Sequence, residues 1–204
     1  TELVPRCIED AECSAGGDYG EHASIVVIAG VPRIAFYDRA RGDLKLAQRD
    51  AEDTWRVTTL DGSDPTTGVD TGDVGQFATM ATDSKRRLGV AYFDATNGAL
   101  RYLFASTGQA APIEVDAGRY GAVQSGSERR HVVGQHVSLA FDAQDNAVMV
   151  YLDATQLALK ASWVQGNQVI ATRTLSSADP GAWYTLIPRE EGGFMGAYGG
   201  WILG

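Results

Sequence analysis

AYFDATNGALRY, residues 91–102, is one of three copies of a pattern that the chain writes in register. The earlier copy is AFYDRARGDLKL (35–46) and the later one is VYLDATQLALKA (150–161). Stacked without gaps, they put Asp38, Asp94 and Asp153 in one column, Leu44, Leu100 and Leu159 in a second, and Lys45, Arg101 and Lys160 in a third. Asp38 to Asp94 is 56 residues and Asp94 to Asp153 is 59. Self-similarity at such a period marks a repeat architecture, in which each unit buries its apolar surface only against a neighbour.

The likeness continues upstream. Glu21-His22-Ala23-Ser24-Ile25, Gln76-Phe77-Ala78-Thr79-Met80 and Gln135-His136-Val137-Ser138-Leu139 each follow a glycine, namely Gly20, Gly75 and Gly134. The first unit reads as four short strands at about 22–28, 32–38, 43–48 and 54–60, rich in Val, Ile, Tyr, Leu or Thr and bounded by turn residues. The second gives about 76–82, 87–94, 99–105 and 112–116, and the third about 135–142, 147–153, 158–164 and 168–175. Nothing in a unit reads as a helix. Four antiparallel strands per unit predict an all-β chain built of β-propeller blades, at about 20–62, 75–118 and 134–177.

A fourth unit opens at 181–204, with Trp183–Ile187 and Phe194–Gly199 as its first strands and Gly200 in the Asp column. A partial ring leaves strand edges that it cannot cover itself. The expected remedy is a second chain or the remainder of the same precursor. A homodimer closing a ring of about seven or eight blades is the alternative.

Residues 1–19 read as an irregular lead-in. Cys7 and Cys13 lie close together in its polar sequence, as a local disulfide would, and this suggests a secreted, periplasmic or outer-surface protein. The net charge of −9 disfavours nucleic acid, whose phosphates demand a basic surface, and anionic lipid alike. The longest apolar run, 23–31, is too short to span a bilayer, so no membrane insertion is expected.

With these columns in view, the chain resembles bacterial secreted β-propeller repeat proteins. Their blades read roughly as G-x-[HY]-x-S-[LI], a variable turn, then a Y-x-D-x-x-x-G-x-L hairpin. The resemblance covers residues 20 to about 176 and implies architecture rather than activity, because propellers host binding scaffolds and several enzyme classes. Leu157 in place of the hairpin glycine and Phe77 in place of the histidine depart from it. CIEDAEC (7–13) is similar to short C-x-x-D-x-[DE]-C elements found ahead of domains in bacterial surface lipoproteins.

Candidate chemistry follows from the columns. Asp38, Asp94 and Asp153 each end a second strand and open a turn, where a carboxylate caps backbone amides; they are also candidates for a ligand face. His22 and His136 sit at the start of the innermost strand, on the same edge as those turns, and could ligate Zn, Cu or Fe in a central channel. Packing of imidazole against a neighbouring blade is the simpler reading. Strand alternation sets Glu21, Gln76 and Gln135 on the side opposite the histidines, and leaves open which side faces the channel. It also puts Ser24 on the side of His22, within reach of a hydroxyl–imidazole pair.

The loop 61–73, with carboxylates at 61, 64, 70 and 73, could bind Ca but lacks the D-x-[DN]-x-[DN]-G spacing. His131 is expected in solvent, and the tryptophans as wedges between blades. Two functions remain. One is an exported or surface-associated module binding a protein, peptide or glycan on the face of the loops 61–74 and 117–134. The other is a metal-dependent lyase or hydrolase with pore histidines as ligands.

Overall fold

The computed structural model describes residues 19–50, 54–64, 67–105, 111–119, 131–177, 181–188 and 193–199; Cys7 and Cys13 lie outside them. Every regular element among the described residues is a strand, and no helix is long and apolar enough to cross a membrane. Blade 1 consists of β1 (Tyr19–Ile28), β2 (Val31–Asp38), β3 (Asp43–Arg49) and β4 (Trp55–Asp61). A two-rung hairpin, β5 (Ser63–Asp64) and β6 (Val69–Asp70), occupies the link that the sequence suggests is plain loop. Blade 2 is β7 (Val74–Thr82), β8 (Leu88–Asp94), β9 (Ala99–Phe104) and β10 (Ile113–Asp116). Blade 3 is β11 (Val133–Phe141), β12 (Ala147–Asp153), β13 (Ala158–Gln165) and β14 (Gln168–Ser176). The fourth unit contributes β15 (Ala182–Pro188) and β16 (Phe194–Gly199). Each blade is an antiparallel meander in chain order, and the first strands of successive blades lie side by side around the axis. The architecture is a partial β-propeller.

The apolar core lies between blades. Leu44 and Leu46 of blade 1 pack with Val74, Met80, Val90, Tyr92 and Leu103 of blade 2. Leu100, Tyr102 and Val115 of blade 2 pack with Val133, Leu139, Met149 and Tyr151 of blade 3. Each such side chain, fully buried, stabilises the fold by roughly 1.5–3 kcal/mol. β8 and β12 are buried along their whole length because a blade covers each of their faces, whereas the outer β14 is mostly exposed.

The Leu and Gly columns are two halves of one contact. A Cβ on Gly75 would stand 2.8 Å from the Leu44 Cα, and one on Gly134 would stand 2.8 Å from the Leu100 Cα, so a side chain there would hold the blades apart. Val74 N–H donates to the Gly42 carbonyl (2.9 Å) and Val133 N–H to the Gly98 carbonyl (3.0 Å), fixing the same junctions. The hairpin glycines Gly42 and Gly98 have φ of 71° and 66°, and Leu157 in the third blade takes the same left-handed conformation at 50°. A side chain in that region costs roughly 1–2 kcal/mol.

Strict alternation fails at the start of each first strand. His22, Phe77 and His136 have φ of 52°, 54° and 52°, and the pairing with the second strand skips there in all three blades. The bulge separates the histidine from the hydroxyl two residues on. Ser24 Oγ instead accepts the Met80 N–H of blade 2, and Ser138 Oγ accepts the Leu186 N–H of the fourth unit, each at 3.0 Å. The serine column is therefore a clip between blades. Trp55 and Trp163 are half-buried beneath Arg49 and Arg173 of their own blades, at 5.5 and 5.8 Å.

Candidate functional site

The columns common to every blade are consumed by the fold. Asp38, Asp94 and Asp153 are all 0% exposed. They accept the N–H groups of Ala40 (3.1 Å), Asn97 (2.8 Å) and Gln156 (2.9 Å), which is turn capping, and their burial removes them from any ligand face. Burial raises the Asp38 pKa above its ordinary value, against the pull of Lys45. The cation column pairs with buried carboxylates, and only in blade 2 is the close partner the column Asp itself. Lys45 Nζ lies 2.8 Å from Asp43, Arg101 Nε lies 2.6 Å from Asp94, and Lys160 pairs with Asp116 of the preceding blade.

A lock that the sequence pattern conceals completes each junction. Tyr92 of blade 2 donates its hydroxyl to Asp61 of blade 1 at 2.5 Å, and Tyr151 of blade 3 donates to Asp116 of blade 2 at 2.7 Å. Burial, with the neighbouring carboxylate adding to it, pushes both phenols well above their ordinary pKa. Asp61 is thus a structural partner and not a free loop carboxylate. In the same column blade 1 has Phe36, which has no hydroxyl to give.

At the loop end of the first strands the three bulged residues form a row. The Phe77 ring centroid lies 4.4 Å from that of His22 and 4.4 Å from that of His136, both tilted. Burial lowers the pKa of both imidazoles below 6.5, opposed at His22 by Glu21 and reinforced at His136 by the charge of His22. Zn–N bonds are about 2.0–2.1 Å, so an ion shared by the two histidines requires the Phe77 ring to move aside. Among the described residues no group of three or more His, Cys, Asp or Glu stands close enough to hold a metal.

Beside this row the repeat breaks. Tyr37 donates its hydroxyl to Asp73 at 2.8 Å, and the Gln76 amide approaches the same carboxylate at 3.3 and 3.4 Å. Arg39 pairs with Glu21 at 3.0 Å, with side chains 62% and 41% exposed. The corresponding positions at the next junction are Phe93, Val132 and Ala95, which are apolar. Burial, together with the hydrogen bond to Asp73, pushes the Tyr37 phenol up to about 12. Of the residues singled out from the sequence, Glu21, Gln76 and His22 meet here. Gln135 stands in the next blade, half-buried. Asp73, read from the sequence as one of the four loop carboxylates, joins them; Tyr37 and Arg39 are additions, and the signal for them was their departure from the columns.

The 61–73 loop spends most of its acids locally. Asp61 accepts the Thr71 hydroxyl, Asp64 the Thr67 hydroxyl and Asp70 the Gly72 N–H. Residues 120–130 of the other long loop lie outside the described ones. His131 at its end is not in open solvent: its side chain is 15% exposed, with Nδ1 3.4 Å from Asp153.

No protein-family model matches the sequence, and no curated protein is significantly similar to it. Among solved structures, the chain is similar in fold to exo-β-1,3-galactanase from Phanerochaete chrysosporium. Two variants of that enzyme with β-1,3-galactotriose match at TM-scores of 0.54 and 0.53, and the enzyme with galactose matches at 0.52. Identity is 10% over 84% of this chain, which spans 41–42% of the length of the galactanase. That enzyme is a β-propeller, and the likeness is one of fold.

Proposed function

We propose that the chain is an exported or surface-associated propeller module that binds a glycan at the loop end of the junction between blades 1 and 2. The observation that carries this reading is the break in symmetry. A blade needs its Asp, Leu and Gly columns to pack, but no packing demand explains Glu21–Arg39 and Tyr37–Asp73 where the same places at the next junction hold Gln76, Ala95, Phe93 and Val132. Carboxylate, carboxamide and guanidinium groups give planar pairs of hydrogen bonds to adjacent hydroxyls, and the aromatic row beside them offers an apolar face to a sugar ring. A propeller with bound β-1,3-galactotriose supports the choice of a glycan over a peptide.

Calorimetric titration with β-1,3-galactotriose and other neutral oligosaccharides tests this. Saturable binding that weakens about 10–100-fold in Asp73→Asn and Glu21→Gln is expected from the loss of charge-assisted hydrogen bonds. No glycan bound, or affinities unchanged in both variants, would overturn it. The second reading is a metal-dependent lyase or hydrolase. It draws on His22 and His136 being held neutral, the form in which imidazole ligates a metal. About one equivalent of Zn, Cu or Fe in the purified protein, lost in a His22→Ala, His136→Ala variant, would favour it.

A further inference from the structure

The leading face of blade 1 differs from its own equivalents in blades 2 and 3. Ile25, Met80 and Leu139 share a column; Met80 and Leu139 are 7% and 5% exposed against the preceding blade, while Ile25 is 62% exposed. Val27, two residues on and facing the same way, is 65% exposed. The glycine seat is open as well. Among the described residues nothing lies within 4 Å of the place where a Gly20 Cβ would stand, although the seats at Gly75 and Gly134 are filled by Leu44 and Leu100.

The matching half is at the other end of the array. The clip from Ser138 to the Leu186 N–H puts the fourth unit in phase with the repeat, so that Thr185 falls in the Ser24, Thr79, Ser138 column and Ile187 in the Val26, Ala81, Ala140 column. Val26 packs with Met80 at the first junction and Ala81 with Leu139 at the second. Ile187 is 49% exposed, and Thr185 is exposed beside it. Each chain therefore presents the apolar residues and the hydroxyl of one half of a blade junction, together with the apolar residues and the backbone N–H of the other half.

We propose that the chain associates head to tail with a second copy of itself. Thr185 and Ile187 of one protomer lie against Ile25 and Val27 of its partner, with the Thr185 hydroxyl accepting the Ile25 N–H as Ser24 accepts that of Met80. The contact is heterologous, and two copies that meet this way twice leave neither of these two described faces exposed.

Sedimentation velocity on the full chain, wild type and with Ile25→Asp or Ile187→Asp, tests the proposal. Both substitutions are at exposed positions, and matching thermal melts verify that the fold is kept. The expected result is a wild type at twice the 21.7 kDa chain mass, each variant at the mass of one chain, and an equimolar mixture of the two variants returning to the mass of two, because one wild-type junction survives in the mixed pair. A wild type that stays at one chain mass, a dimer that survives either substitution, or a mixture that stays monomeric would overturn it.

Discussion

The junction between blades 1 and 2 and the junction between blades 2 and 3 are built alike in their depths and differ at their loop end. Below, each has a leucine seated on a glycine, an apolar core, and a tyrosine of the later blade bonded to an aspartate of the earlier one. Above, the first carries Glu21, Arg39, Tyr37, Asp73 and Gln76, and in the same places the second carries Gln76, Ala95, Phe93, Val132 and Gln135. What is repeated holds the blades together, and what is not repeated is available for a ligand.

The comparison breaks most severely in the depths. Asp61→Ala should strand the Tyr92 hydroxyl and leave part of the Arg101 charge uncompensated, and Asp116→Ala should do the same to Tyr151 and Lys160. Removing one partner of a buried charged pair costs about 3–5 kcal/mol, so urea unfolding should show a loss of that order for Asp116→Ala, whereas Asp61→Ala, which chiefly strands a phenol, should cost about 1–3 kcal/mol. Equal losses would mean that Arg101 depends on Asp61 as much as Lys160 does on Asp116.

The next effect separates the ends. Tyr92→Phe removes a buried hydrogen bond to a carboxylate and should cost about 1.5–3 kcal/mol without altering glycan affinity. Tyr37→Phe should give a smaller stability loss with a clear fall in affinity, because Asp73 is then left without its phenol donor. Reversed outcomes would exchange the roles assigned to the two tyrosines.

Titration sharpens the loop end further. The Tyr37 pKa is raised from 10.0 to about 12, so its neutral form is favoured in the fold. Its contribution to stability is complete below pH 10 and is lost as the pH rises toward 12, which ultraviolet titration of wild type against Tyr37→Phe should resolve. For His22 and His136 the sign is opposite. Their pKa values lie below 6.5, so the stability they add is present above 6.5 and fades as the pH falls through their folded values. Proton NMR should place both midpoints below that of free imidazole side chains.

The smallest effect concerns the third hairpin. Leu157 occupies the conformation that glycine takes at Gly42 and Gly98, and it is 50% exposed, so little packing is lost with its side chain. Leu157→Gly should stabilise the protein by about 1 kcal/mol in chemical unfolding. A loss would mean that the Leu157 side chain makes a contact worth more than its backbone strain.

Most of the fold was legible because its cause is repeated. Three aligned aspartates, leucines and glycines give blade boundaries, and the observed strands fall within two or three residues of those read from the sequence. The bulge at His22, Phe77 and His136 was not legible, since the left-handed residue itself is not a glycine in any blade, and with it went the assignment of faces and the pairing of Ser24. The locks escaped notice because Tyr92 and Asp61 belong to different units, 31 residues apart. At the site, Glu21, His22 and Gln76 were visible through their column and Asp73 through its acidic loop, whereas Tyr37 and Arg39 stand where the columns change, and a reading built on likeness passes over differences.

The most direct test of the central claim, that a ligand binds where the repeat breaks, is amide and side-chain chemical-shift mapping during titration with β-1,3-galactotriose. The account predicts shifts concentrated at Glu21, Arg39, Tyr37, Asp73, Gln76 and Phe77, with Phe93 and Val132 silent. Shifts spread equally over both junctions, or confined to the outer strands, would contradict it.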